Sequence, residues 1–83
     1  MAKDVTIYTS NTCAYCVATK QYFDKKSVGY NEINIDEQPD RRQELVEMSG
    51  QMAVPVTVIT KDDGSKDLTV GFNVPKLASA LGF

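Results

Sequence analysis

Two cysteines separated by two residues, Cys13-Ala14-Tyr15-Cys16, are the side chains of this sequence whose type and spacing can do chemistry. Val5, Ile7 and Tyr8 belong to a β-prone run that closes at Ser10-Asn11-Thr12, and the residues that follow favour a helix through Lys26. Cys13 therefore falls at a helix N-terminus, where unpaired amide donors and the positive end of the helix dipole favour a thiolate over a thiol. Cys16 follows about one helical turn later, within reach of a mixed disulfide formed on Cys13. The pair reads as the nucleophile and resolver of a redox site. Three other readings compete with it. Zinc needs four ligands, and a chain with 2 cysteines and no histidine is a poor source of them. A structural disulfide closing so short a loop constrains little chain entropy. Two randomly placed cysteines land at this spacing in only about a few per cent of cases.

The elements that must position the pair fit one domain. With 83 residues, 42% of them apolar, the chain is expected to form a single domain over 1–83 with one core and no need of a staple. Met1-Ala2-Lys3-Asp4-Val5 shows no apolar segment leading to a cleavage site, no apolar run reaches bilayer length, and neither end carries a lipidation signal. A cytoplasmic protein without a membrane partner is expected. A net charge of -2 with both signs interspersed leaves no basic stripe, so the expected partners are small thiols and proteins and not nucleic acid.

Lys3 to Thr9 reads as a central strand, because its apolar run suits cover on both faces. Thr12 or Cys13 to Ser27 reads as a helix with Cys16, Thr19, Phe23 and Lys26 on one stripe, and Gly29 is placed to end it. Tyr30 to Ile35 alternates like a strand near an edge. Pro39 opens a second helix with Arg42, Leu45, Val46 and Ser49 on one face, stopped by Gly50. Pro55 to Thr60 and Asp67 to Val70 flank the turn Lys61-Asp62-Asp63-Gly64-Ser65 as a hairpin, and Val74 to Leu81, with Pro75 in its first turn, closes the chain as a helix. The order β-α-β-α-β-β-α predicts an α/β domain with a four-stranded mixed sheet flanked by three helices.

This order, with Cys13-Ala14-Tyr15-Cys16 after the first strand and Ala53-Val54-Pro55 before the third, resembles the glutaredoxins and glutaredoxin-like NrdH redoxins of the thioredoxin superfamily. The likeness covers nearly the whole chain. It implies a thioredoxin fold and a thiol-disulfide oxidoreductase, with Cys13 as nucleophile, Cys16 as resolver and Tyr15 as the aromatic of the family's Cys-Pro-Tyr-Cys. It further implies that Val54-Pro55 is the dipeptide whose proline is cis, leaving the Val54 main chain open to pair with a thiol peptide. Gly71 matches one glycine of the pair lining the substrate groove, and Gly71-Phe72 resembles the Gly-Phe step of NrdH-type proteins. On their own, Pro55 reads as a trans proline beginning a strand and Phe72 as a core residue. Lys20 matches a lysine that follows the resolving cysteine in many relatives, but a solvated helix cation is the commoner state of such a residue.

Some positions depart from the family pattern. Ala14 replaces the usual proline, Ala53 replaces the threonine before Val-Pro, and Asn73-Val74 stand where typical glutaredoxins hold the glutathione ammonium with acidic residues. Ser10, Asn11 and Thr12 supply no lysine upstream of Cys13. Such charge-assisted bonds are the strong ones, so glutathione is expected as a weak co-substrate only, with no cofactor bound tightly. The expected protein is a monomeric electron carrier that reduces protein or mixed disulfides, recharged by glutathione or by a thioredoxin-reductase-type flavoenzyme. Two alternatives follow from the same resemblance: an NrdH-type redoxin reduced by thioredoxin reductase and serving ribonucleotide reductase, or a glutathione-dependent module binding an iron-sulfur cluster between two subunits.

Overall fold

The computed structural model of the chain describes residues 2–50 and 54–81. Ala53, the departure before Val54-Pro55, lies outside the described residues. The run from Ala2 forms β1 (Ala2–Thr9), followed by α1 (Ala14–Lys25), β2 (Asn31–Asn34), a 3-10 turn at Pro39–Arg41, α2 (Arg42–Ser49), β3 (Val56–Lys61), β4 (Lys66–Val70) and α3 (Val74–Leu81). The sheet has four strands in the order β2-β1-β3-β4, so β1 is internal, as its apolar run predicts. β1 pairs with β2 in parallel and with β3 antiparallel, and β3 pairs antiparallel with β4, which makes the sheet mixed.

Period-two alternation along β1 and β3 divides the core between two faces. Val5, Ile7 and Ile59 meet Phe23 of α1 and Leu77, Ala80 and Leu81 of α3. On the opposite face Tyr8, Val56 and Val58 meet Ile35 and Leu45 of α2. Helices on both faces explain why the internal strand is apolar on consecutive residues. The fold is α/β and thioredoxin-like, with three helices around the sheet.

One helix ends differently from the sequence expectation. α1 stops at Lys25, and Gly29 plays no part in stopping it; Ser27 takes the left-handed conformation at φ 58 instead. Ser27 N–H donates to the Asp24 carbonyl at 3.2 Å and Val28 N–H to the Phe23 carbonyl at 2.8 Å, the paired bonds of a Schellman ending. Val28 packs on the cluster containing Phe23, and that apolar contact selects the stop over the glycine's freedom two residues later. α2 ends as expected, at Gly50 with φ 79. Its apolar stripe is narrower than the pattern predicts: Leu45 is buried, whereas Val46 is exposed.

Candidate active site

Cys13 is the N-cap of α1, with extended backbone at φ -100 and ψ 106. That geometry turns its sulfur back over the first turn, where Cys16 N–H donates to Cys13 Sγ at 3.1 Å. One of the helix's unpaired amides is thus spent on the sulfur, and the first turn carries no acidic side chain to oppose a negative charge there. Both cysteines are free thiols. Cys13 is half-buried, whereas Cys16 is only 1% exposed. Burial is the main reason that the Cys16 thiol is pushed up to about 12, reinforced by its hydrogen bond to the Cys13 sulfur and opposed by the Ser10 amide and the Lys20 charge.

Strand pairing brings the remaining candidates to the same end of the sheet. Tyr8, next to the last residue of β1, pairs with Val56, the first of β3, and Val56 pairs with Val70, the last of β4. The loop before Cys13, the Val54-Pro55 step and Gly71-Phe72 therefore emerge along one edge. The Val54-Pro55 peptide bond is cis. Among the described residues neither main-chain group of Val54 has a hydrogen-bond partner. Gly71 N–H donates to the Pro55 carbonyl at 2.7 Å, and Gly71 reaches this position with φ 81, in the left-handed region that favours glycine. Phe72 is 38% exposed and sits edge-on against Tyr22 of α1 at 6.4 Å between ring centroids, so it is neither a core residue nor a free one. Tyr15 is 67% exposed, beside the N-cap sulfur in sequence and turned to solvent. Asn73 caps α3, its Oδ1 accepting from Lys76 N–H at 3.3 Å.

Two polar networks that residue patterns did not single out hold this end in place. Asn11, in the loop before Cys13, donates its N–H to Asp36 Oδ2 at 2.8 Å and accepts from Asn34 Nδ2 at 2.8 Å, and Arg42 of α2 holds Asp36 Oδ1 at 2.9 Å. Lys20 is not a solvated cation: its Nζ meets Glu32 Oε2 at 2.9 Å, and the same oxygen accepts from Thr9 Oγ1 at 2.7 Å. Both networks join residues on separate elements through the parallel β1–β2 register, Ile7 opposite Glu32 and Thr9 opposite Asn34, which no local pattern reveals. Among the described residues no group of three or more His, Cys, Asp or Glu side chains could hold a metal ion. No helix among them is long and apolar enough to cross a membrane.

Comparison with known proteins agrees with this geometry. The glutaredoxin family model matches residues 5–63. The glutaredoxin-like protein NrdH of Lactococcus lactis subsp. cremoris is 46% identical over 59 residues, which cover 71% of this chain and 78% of that protein. Glutaredoxin 3 of Escherichia coli K12 is 38% identical over 52 residues, 63% of each chain. Among solved structures, the NrdH-redoxin of Escherichia coli, described as having a thioredoxin-like activity profile, superposes with a TM-score of 0.72 at 31% identity over 94% of this chain and 93% of its own.

Proposed function

Since this chain belongs to the glutaredoxin family and is a thiol-disulfide oxidoreductase, we propose that Cys13 and Cys16 carry its reaction as nucleophile and resolver. The observation that carries the reading is the Cys16 N–H donated to Cys13 Sγ at 3.1 Å, with the second sulfur buried behind it. The Cys13 thiolate attacks a substrate disulfide; a Cys13 mixed disulfide forms and one substrate thiolate leaves. Cys16 then attacks Cys13 Sγ, the Cys13–Cys16 bond forms, and the second substrate thiolate leaves and takes a proton. Two electrons have passed to the substrate, and a reductant must return two to the pair.

The first step prepares the second. In the reduced pair the Cys13 sulfur opposes ionisation of Cys16, both as hydrogen-bond acceptor and as a charge. Once that sulfur is tied into a mixed disulfide its charge is gone, while the Ser10 amide and Lys20 still favour the Cys16 thiolate. The exposed Tyr15, the half-exposed Phe72 and the main chain of Val54 form the rim on which a disulfide-bearing protein segment docks, with Pro55 and Gly71 shaping it.

A thioredoxin-reductase-type flavoenzyme is the reductant this reading favours, with a protein disulfide, that of ribonucleotide reductase included, as substrate. The neutral Ser10, Asn11 and Thr12 and the cap role of Asn73 leave glutathione few charged partners, and the likeness to proteins named NrdH points the same way. Glutathione then acts as a weak co-substrate, no cofactor is bound tightly, and the protein works as a cytoplasmic monomer. Lys76 supports the monomer: its Nζ takes the Leu68 carbonyl at 2.7 Å on β4, an edge strand otherwise open to pairing with a second copy. A coupled NADPH assay on a protein disulfide, run with glutathione plus its reductase and separately with thioredoxin reductase, tests the assignment. Faster turnover in the flavoenzyme arm supports it, and turnover in the glutathione arm alone overturns it.

A further inference from the structure

The Lys20–Glu32–Thr9 network reaches α1 on the helix face that also carries Cys16. Lys20 follows Cys16 by four residues on α1, the spacing that puts two side chains on one helix face. The Ser10 amide favours the Cys16 thiolate, and the preceding residue, the buried Thr9, donates to the carboxylate that also binds Lys20. The resolving sulfur and the ion pair thus meet two consecutive residues, Thr9 at the end of β1 and Ser10 just after it. The titratable groups facing Cys16 are Cys13 and Lys20, and those facing Lys20 are Glu32, Tyr30 and Cys16.

We propose that this network sets how readily Cys16 gives up its proton in the resolving step: Lys20 supplies the favourable charge, and Glu32, held by Thr9, restrains it. Both are positioning residues, since neither touches the reacting substrate. The step itself remains Cys16–SH plus Cys13–S–S–R giving Cys13–S–S–Cys16 plus R–SH, with the Cys16 proton reaching the leaving thiolate through solvent. The inference rests on Cys16 being the resolver.

The two ends of the ion pair should then act with opposite sign. Lys20→Met leaves Glu32 uncompensated, disfavours the Cys16 thiolate and slows resolution. Glu32→Gln frees the Lys20 charge and favours the thiolate. Mixing reduced protein in a stopped-flow instrument with an aromatic disulfide, whose thiolate is coloured, gives one burst for attack by Cys13 and a second for resolution by Cys16. The expected result is a second-phase pH midpoint displaced by up to about 0.7 unit, upward for Lys20→Met and downward for Glu32→Gln, the size of a partly exposed charge pair. The rate at neutral pH changes only about twofold, because a less basic thiolate is also a weaker nucleophile. The double variant returns toward the parent midpoint. Displacement of both single variants in the same direction, or of neither, overturns the inference while leaving the resolver in place. A missing second phase in the unsubstituted protein removes the resolver itself, and the proposed function with it.

Discussion

At the scale of the residue, what was legible is what chemistry requires locally. Cys13 and Cys16 stand out because their separation matches one helical turn, and the cis Val54-Pro55 bond was reachable only through the family resemblance, since Pro55 alone reads as trans. Lys20 could not be read correctly. Its partner lies twelve residues away on an edge strand, and only the pairing of Ile7 with Glu32 brings the carboxylate to it. Gly71 offers a clean test of a residue chosen for its backbone. A Cβ added there meets nothing within 4 Å, so the cost of Gly71→Ala is conformational and comes from φ 81. Urea denaturation should show a loss of about 1 kcal/mol. Unchanged stability would mean that the backbone relaxes and that the bond from Gly71 N–H to the Pro55 carbonyl does not depend on glycine.

At the scale of the element, the element order and the hairpin were readable from periodicity and turn residues, while the end of α1 was not. A rule that places glycine after a helix chose Gly29, but the chain obeys the apolar contact between Val28 and the Phe23 cluster and forces Ser27 into the left-handed region. Ser27→Gly should therefore stabilise the fold by about 0.5 to 1 kcal/mol, measured as a rise in denaturation midpoint at unchanged slope. A fall would show that the serine conformation costs nothing here. α2 illustrates the opposite case. Its apolar stripe reduces to Leu45, and polar bonds supplement it: Glu44 accepts from the Tyr8 hydroxyl and is held by Arg41 in two bonds of 2.9 and 2.8 Å. Periodicity could not show this, because Tyr8 and Glu44 are 36 residues apart.

At the scale of the whole molecule, two layers of helix cover a sheet whose active edge collects three chain segments, and carboxylates tie the outer pieces to the internal strand. Glu32 joins β2 to α1 and β1, and Glu44 joins α2 to β1. Lys20 holds the Glu32 carboxyl below its ordinary 4.5, and Arg41 does the same for Glu44. A depressed folded value means that the unfolded chain binds more protons, so this stabilisation is fully present above about pH 4.5 and is lost as pH falls through the folded values. Stability measured against pH should accordingly fall below that pH in the parent, whereas Lys20→Met and Arg41→Met start from a lower plateau and lose less on acidification; a plateau and slope equal to the parent's would contradict the ion pairs. The molecule is a thiol-disulfide oxidoreductase, and the role proposed for Cys13 has two electrons pass through one mixed disulfide on that sulfur. The most direct test is to react Cys16→Ser with a protein disulfide under anaerobic conditions and weigh the product by intact mass spectrometry. A one-to-one adduct on Cys13 that accumulates without turning over is the predicted result, and full turnover of the protein disulfide by that variant would contradict the account.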